Sequence, residues 1–175
     1  AGEVIAVYRK LHLYDAFAQV ESDNVRPGVE LPPLIDVSGF KVGLMTCYDV
    51  RFPELARLLG LQDADIIALP AAWAKGFGKE RQWATLVSAR ALDNTVYVLA
   101  SGESGSSCIG SSIIADPLGQ PLTTSGYDTE LAVTTVSADK LQRVRESLPV
   151  LDHIRFTIDE TPTPPNPAGA MKETA

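Results

Sequence analysis

The sequence has few of the residues that build metal sites, disulfide scaffolds and membrane spans. It contains two cysteines and two histidines among 175 residues, and they match neither the spacing of a zinc site nor the cysteine content of a disulfide-rich domain. No apolar run approaches the roughly 20 residues of a membrane-spanning helix, and the first residues do not resemble a secretory signal. We therefore expect a cytoplasmic protein with reduced thiols and no bound metal.

Basic charge is also scarce. The chain has 15 Lys and Arg against 22 Asp and Glu, for a net charge of -7. That balance predicts neither a nucleic-acid partner nor a polybasic membrane anchor. With 45% hydrophobic residues, the chain is long enough for one globular domain with a buried core. We place this domain at residues 1–155, followed by a Pro-rich tail at 156–175.

The hydrophobic pattern alternates between strand and helix periods, which predicts an α/β fold. Residues 1–3 are typical of a hairpin tip, and 4–8 of the strand that follows it, so the chain is expected to begin within a domain. Helices are predicted at 53–59, 79–93 and 138–148, with Ser137 capping the last. Strands are predicted at 4–8, 34–37, 40–46, 65–70, 95–100, 111–115 and 129–136.

Cys47 stands where an apolar strand turns into a helix. The run 41–46 ends at this thiol, the polar residues 48–52 follow, and Pro53 opens a helix. Backbone N–H groups and the positive end of a helix would favour a thiolate, which is a nucleophile. A buried structural cysteine is the alternative interpretation.

Lys10 and Glu21 are the other candidates for chemistry. Lys10 closes the predicted first strand and Glu21 lies in a loop, and taken singly each would be an ordinary solvated side chain. His12 points to the same side as Lys10 in an extended chain. We interpret His12 as a hydrogen-bonded structural residue rather than as the partner of Cys47, because such a pair requires geometry that spacing does not provide.

Six segments of the sequence, taken in order, indicate what these residues could do. The sequence closely resembles the nitrilase superfamily, the carbon–nitrogen hydrolases, at residues 8–13, at Glu21 ahead of 27–28, and at 47–54. The segments 70–73, 83–94 and 116–119 do so as well. The resemblance extends over about residues 2–155 and is strongest to the amidase-like branch. Because several independent motifs occur in the same order, the resemblance is far more specific than any one motif.

The resemblance implies an αββα sandwich and a set of site residues. Cys47 would be the nucleophile, Glu21 would position Lys10 and substrate, and Lys10 would form the oxyanion hole with the backbone N–H of Tyr48. Trp73, in a loop expected to shape the pocket, is assigned to substrate binding. The implied reaction is hydrolysis of a small carboxylic-acid amide through a thioester, with release of ammonia. The resemblance implies no cofactor. It does imply a homodimer or higher oligomer.

The chain also departs from the family pattern. The family's first glutamate lies well upstream of the lysine, and Glu3, the one acidic residue before Lys10, is not assigned its role. We therefore expect this chain to be the C-terminal portion of such an enzyme and to be inactive alone. Gln82 and Asp93 replace a usual histidine and glutamate. Three alternatives stay open: a non-catalytic scaffold of the same fold, a redox module that uses Cys47 and Cys108, and a nitrile substrate.

Overall fold

The computed structural model describes residues 2–17 and 19–163. Within these ranges it contains a two-stranded hairpin, a six-stranded sheet and three α-helices. In chain order they are β1 (Asp15–Ala16), β2 (Gln19–Val20), β3 (Ile35–Val37), β4 (Phe40–Leu44), α1 (Pro53–Leu61), β5 (Ile66–Ala71), α2 (Lys79–Asn94), β6 (Tyr97–Gly102), β7 (Ile113–Ala115), β8 (Pro121–Thr124) and α3 (Ala138–Ser147).

The large sheet is mixed, and its parallel centre carries the helices. Its strands follow the order β3-β4-β5-β6-β7-β8, with β4, β5 and β6 parallel and the outer pairs antiparallel. Parallel neighbours need a crossover connection, which α1 and α2 provide. The predicted α/β class is therefore confirmed.

Local signals in the sequence explain where the helices begin. Pro53 is the first residue of α1, where a missing N–H has no cost. Gly78, at φ +68°, precedes α2, and a left-handed conformation of this kind favours glycine. The Ser137 hydroxyl accepts a hydrogen bond from Lys140 N at 3.2 Å, so this predicted cap of α3 is confirmed.

The main core lies between one face of the sheet and the helices α1 and α2. Trp83 and Val87 of α2 are fully buried against Ile67 and Val98 of the sheet. On the opposite face, Leu141 of α3 packs with a smaller cluster that contains Ile66 and Tyr97. Because neighbouring strand residues point to opposite faces, Ile66 and Ile67 belong to different clusters. No helix within residues 2–17 and 19–163 is long and apolar enough to cross a bilayer.

Two predicted strands are wrong. Residues 4–8 have no ladder partner within the described ranges, and Val4 and Ile5 are 77% and 73% exposed. Residues 129–136 form no strand either. β-Propensity alone does not make a strand, because each strand needs an edge to pair with.

The partner of β7 is instead β8, immediately after the turn at 116–119. The Asp116 carboxylate accepts hydrogen bonds from Leu118 N and Gln120 N, both at 2.9 Å. This Asx-type turn reverses the chain at once, so the hairpin closes before residue 129. Of the Pro-rich tail, residues 156–163 have no helix or strand, and 164–175 lie outside the described residues.

Candidate active site

All five residues predicted for the site line a single cavity of about 800 Å³. The cavity opens where the parallel strands end, since Thr46, Ala71 and Ser101 lie in its wall at the carboxyl ends of β4, β5 and β6. Binding sites in α/β sheets typically form at this edge. The residues predicted for the site are Lys10, Glu21, Cys47, Tyr48 and Trp73.

Cys47 lies on a strained turn. It begins a 3-10 helix (Cys47–Arg51) directly after β4, and its φ is +48°. A non-glycine residue in the left-handed region costs on the order of 1 kcal/mol or more, and such strain is concentrated at functional sites. Behind the turn, the buried Arg90 donates from Nε to Val50 O at 2.9 Å. The strand–turn–helix corner predicted for Cys47 is therefore confirmed.

The electrostatic environment of Cys47 differs from the prediction. Burial raises the pKa of the thiol above its ordinary value, and this effect exceeds the opposing influence of the Lys10 ammonium and the Tyr48 N–H. The expectation that the site favours a thiolate is therefore wrong for these residues alone. A base that accepts the thiol proton would therefore assist attack by Cys47.

Lys10 and Glu21 form a short ion pair in the cavity wall. Glu21 Oε2 lies 2.5 Å from Lys10 Nζ and accepts the Tyr14 N–H at 2.6 Å. Glu21 is held by the short 3-10 helix Glu21–Asp23. Because the carboxylate holds the ammonium from one side, the remaining Lys10 protons are left to face the cavity. The structure thus joins two residues that are 11 positions apart in the chain.

Asp49 connects the residues around Lys10 to the turn that bears Cys47. Its carboxylate is fully buried and accepts the Tyr8 hydroxyl at 2.8 Å, the His12 N–H at 3.1 Å and the Thr46 N–H at 2.9 Å. Burial, with the nearby Asp49 charge, raises the pKa of Tyr8, so its hydroxyl remains a donor. One carboxylate therefore holds both sides of the site.

His12 has the structural role that we expected. Its Nδ1 lies 2.8 Å from Asp49 Oδ1, and its ring stacks on Phe52 with centroids 3.6 Å apart. It does not line the cavity that contains Cys47. No Cys–His pair forms within the described ranges.

Two cations lie beside Trp73 in the same cavity. The Arg51 guanidinium is 4.9 Å from the centre of the Trp73 ring, and the Lys79 ammonium is 5.6 Å from it. Arg51 also donates to Gln82 Oε1 at 2.8 Å, so the substitution noted at Gln82 bears on the orientation of Arg51. Trp73 itself is 4% exposed and its Nε1 donates to Lys79 O. It is therefore a rigid wall of the cavity with its one donor already used.

The second cysteine, Cys108, does not line this cavity. Cys47 and Cys108 are both free thiols, and Cys108 is buried. Residues 2–17 and 19–163 contain no group of three or more His, Cys, Asp or Glu side chains placed to hold a metal ion.

Sequence reasoning missed the roles of Asp49, Arg51 and Lys79. The Asp49 role had a local signal, because Thr46 followed three residues later by an acidic residue is typical of a capping box. The Lys79 position had none, since a lysine at the first turn of a helix is ordinarily solvated.

Comparisons with known proteins agree with this architecture. The carbon–nitrogen hydrolase family model matches residues 1–146. The chain is 51% identical over 156 residues to the deaminated glutathione amidase of Escherichia coli O157:H7, covering 89% of this chain and 60% of that protein. The chain is also 51% identical over 156 residues to the protein YbeM of Escherichia coli K12, covering 89% of this chain and 83% of that protein.

A solved structure is similar over most of this chain. The amidase from Nesterenkonia sp. AN1, in a mutant with acrylamide added at its active-site cysteine, is 32% identical and has a TM-score of 0.71. The match covers 83% of this chain and 57% of that one. The chain thus spans about three fifths of the length of these two amidases.

Proposed function

The chain belongs to the carbon–nitrogen hydrolase family, and from that premise we propose that Cys47 is the nucleophile of an amidase. Cys47 Sγ attacks the carbonyl carbon of a carboxylic-acid amide, and the C–N bond breaks to leave a thioester. Water then hydrolyses the thioester and restores the thiol. The observation that carries the proposal is the meeting of Cys47, Lys10 and Glu21 in one cavity.

Lys10 and Tyr48 are the proposed donors to the tetrahedral oxyanion. Both line the cavity with Cys47, and the Lys10 charge and the Tyr48 N–H each act to lower the pKa of the thiol. Donors fixed where negative charge develops stabilise the transition state, and removal of one typically costs about 10²–10³ in rate. The ion pair with Glu21 holds Lys10 in place.

Proton transfer needs a further group. Burial raises the pKa of the Cys47 thiol, and within the described ranges its only hydrogen-bond acceptor is Ala72 O at 4.0 Å. Glu21 is occupied by Lys10 and Tyr14. We assign the general base, which later protonates the leaving nitrogen, to a carboxylate that this chain does not supply. The 175-residue chain alone is accordingly expected to be inactive.

The substrate proposal is broader than a small amide. The relative in Escherichia coli O157:H7 is named for its action on deaminated glutathione, and a cavity of about 800 Å³ lies in the upper part of the range for drug-sized ligands. The leaving nitrogen departs as ammonia from a primary amide or as an amine from a substituted one. Mass spectrometry of both products distinguishes these cases.

The decisive experiment compares the two cysteines. In the protein as it occurs in the cell, with any partner chain retained, Cys47→Ala should reduce amide hydrolysis to background, whereas Cys108→Ala should retain it. Hydroxylamine added during turnover should capture the acyl group of the wild-type thioester as a hydroxamate. Retained turnover in Cys47→Ala would refute the proposal. Hydrolysis by the 175-residue chain alone would refute only the assignment of the base.

Self-association and cytoplasmic location remain predictions. Exposed apolar side chains such as Val4, Leu131 and Val133 support a homodimer or higher oligomer. Sedimentation velocity across a range of protein concentrations tests this, and a single monomeric species at all of them would contradict it.

A further inference from the structure

We propose that a second cavity, separate from that of Cys47, binds a small protonated amine with an apolar body. This second cavity has a volume of about 1150 Å³ and is bounded by residues 11–13 and 22–28, by the first turns of α1 and by residues 158–163. In the part of the chain that the structure describes, Tyr48 alone lines both cavities. The second site therefore does not depend on the proposed amidase function.

Part of the wall of the second cavity is apolar. Leu55 and Leu58 of α1 line it, as do His12 and Phe52, whose rings stack with centroids 3.6 Å apart and an interplanar angle of 8°. Val25 also lines it and is 40% exposed. A concave site between three chain segments is typical of small-ligand binding. An apolar body bound there would be stabilised by the removal of apolar surface from water.

The charged side chains of the second cavity are mostly acidic. Five carboxylates line it together with a single guanidinium, that of Arg26, which leaves four net negative charges with His12 counted as neutral. An amphipathic cation would therefore match both the charge of the cavity and its apolar wall. The five carboxylates belong to Asp15, Asp23, Glu54, Asp159 and Glu160.

Three of these carboxylates are accessible to a ligand. Asp23, Glu54 and Glu160 are exposed and have no ion-pair partner within residues 2–17 and 19–163. An ammonium group placed among them would gain Coulombic attraction without displacing an existing salt bridge.

The other two carboxylates are held by their own loops. Ser22 N donates to Asp15 at 3.0 Å, and Thr161 N donates to Asp159 at 2.8 Å. These hydrogen bonds lower the pKa of Asp15 and the pKa of Asp159. Both side chains therefore keep their negative charge at neutral pH and add to the negative potential of the cavity.

The two cavities differ in charge, and this difference predicts which of them a cation enters. The wall of the Cys47 cavity contains three basic and two acidic side chains, whereas the second cavity has an excess of carboxylates. A cation is therefore favoured in the second cavity and disfavoured in the first.

The test measures the binding of three probes to the full-length protein, with any partner chain retained. Phenylbutylamine carries an ammonium group on an apolar body, phenylbutyrate carries a carboxylate on a similar body, and butylamine lacks the ring. Isothermal titration calorimetry gives the affinity of each probe. Hydrogen exchange followed by mass spectrometry locates the bound amine, which should slow exchange in residues 22–28.

Phenylbutylamine should bind about tenfold more tightly than phenylbutyrate or butylamine, because it alone combines the charge with the apolar body. The double variant Asp23→Asn/Glu54→Gln should weaken its binding about fivefold, since each exposed charge pair contributes modestly. The matched control is Asp128→Asn/Glu3→Gln. It makes the same change in net charge at two exposed carboxylates that do not line the second cavity, so the affinity should be unchanged.

Three outcomes would overturn the proposal. The first is the absence of saturable binding of phenylbutylamine, or equal weakening of its binding by the two double variants. The second is tighter binding of phenylbutyrate than of phenylbutylamine, which would exclude a cationic ligand. The third is binding that occurs only as an oligomer dissociates, measured by sedimentation velocity with and without phenylbutylamine. The second cavity would then be a contact between copies of this chain and not a ligand site.

Discussion

The part of the chain before residue 32 and the sheet that follows it are built differently, yet each supplies part of the candidate site. In the N-terminal arm (residues 2–17 and 19–31), no described residue is fully buried, and the regular structure consists of β1, β2 and one turn of 3-10 helix. The sheet and its helices enclose a core with residues such as Trp83 and Val87 at 0% exposure. The arm holds Lys10 and Glu21, and the sheet holds Cys47.

This difference indicates how the site is assembled. A nucleophile on a rigid corner is positioned by the core, whereas residues of a loosely packed arm need a specific anchor. Asp49 is that anchor, because Tyr8 and His12 of the arm both bind its carboxylate. The geometry of the site thus depends on a few hydrogen bonds on one side and on many apolar contacts on the other.

The largest expected effect is on the sheet side. Trp83→Ala removes a fully buried indole whose Nε1 donates to Ser111 O at 2.8 Å, so the free energy of unfolding should fall by about 3–5 kcal/mol. Urea denaturation measures it. Phe77→Ala is the control, since Phe77 is fully exposed and should change stability by less than about 0.5 kcal/mol. Equal effects of the two substitutions would contradict the description of the core.

Breaking the anchor should detach the arm. Asp49→Ala leaves buried donors without a partner, at an expected cost of about 3 kcal/mol. Its distinguishing effect should be local, with faster hydrogen exchange and proteolysis in residues 8–14 than in α2. If exchange in the arm and in α2 accelerated equally, Asp49 would be a general core residue and not an anchor.

A close approach within the arm offers a gentler perturbation. A Cβ on Gly28 would lie 2.2 Å from Arg9 O, and Gly28 N donates to Lys10 O at 2.8 Å. Gly28→Ala should therefore displace Lys10 and cost about 1–3 kcal/mol. Gly2→Ala is a matched control, because a Cβ at Gly2 meets nothing within 4 Å. Denaturation midpoints of the two variants measure the difference, and identical values would refute the close approach.

The smallest expected effect is a change in pH dependence. The Lys10 ammonium lowers the pKa of the Cys47 thiol, while burial raises it. Lys10→Met removes the lowering influence, so the pKa should rise further and the alkylation profile of Cys47 should move to higher pH. Iodoacetamide rates measured across the alkaline range test this. A profile that moved to lower pH would show that Lys10 does not face the sulfur.

Some of this site follows from sequence and some does not. The corner at Cys47 and the buried face of α2 are predictable because strand period, Pro53 and helical spacing are local signals. The strands expected at 4–8 and 129–136 are not, because pairing depends on a distant edge. The roles of Lys10 and Glu21 came from family resemblance, since neither position has a distinctive local pattern. The anchor at Asp49 requires the segments 8–12 and 46–49 to meet, which spacing does not determine.

The positive φ of Cys47 implies a trade-off between stability and activity. Glycine adopts that conformation without the steric penalty that a side chain incurs, so Cys47→Gly should relax the turn while removing the nucleophile. The inactive variant is then expected to be more stable than the wild-type chain by on the order of 1 kcal/mol. Selection for thermostability alone would therefore favour loss of the thiol, and an engineered stable version would have to be screened for retained chemistry at this residue.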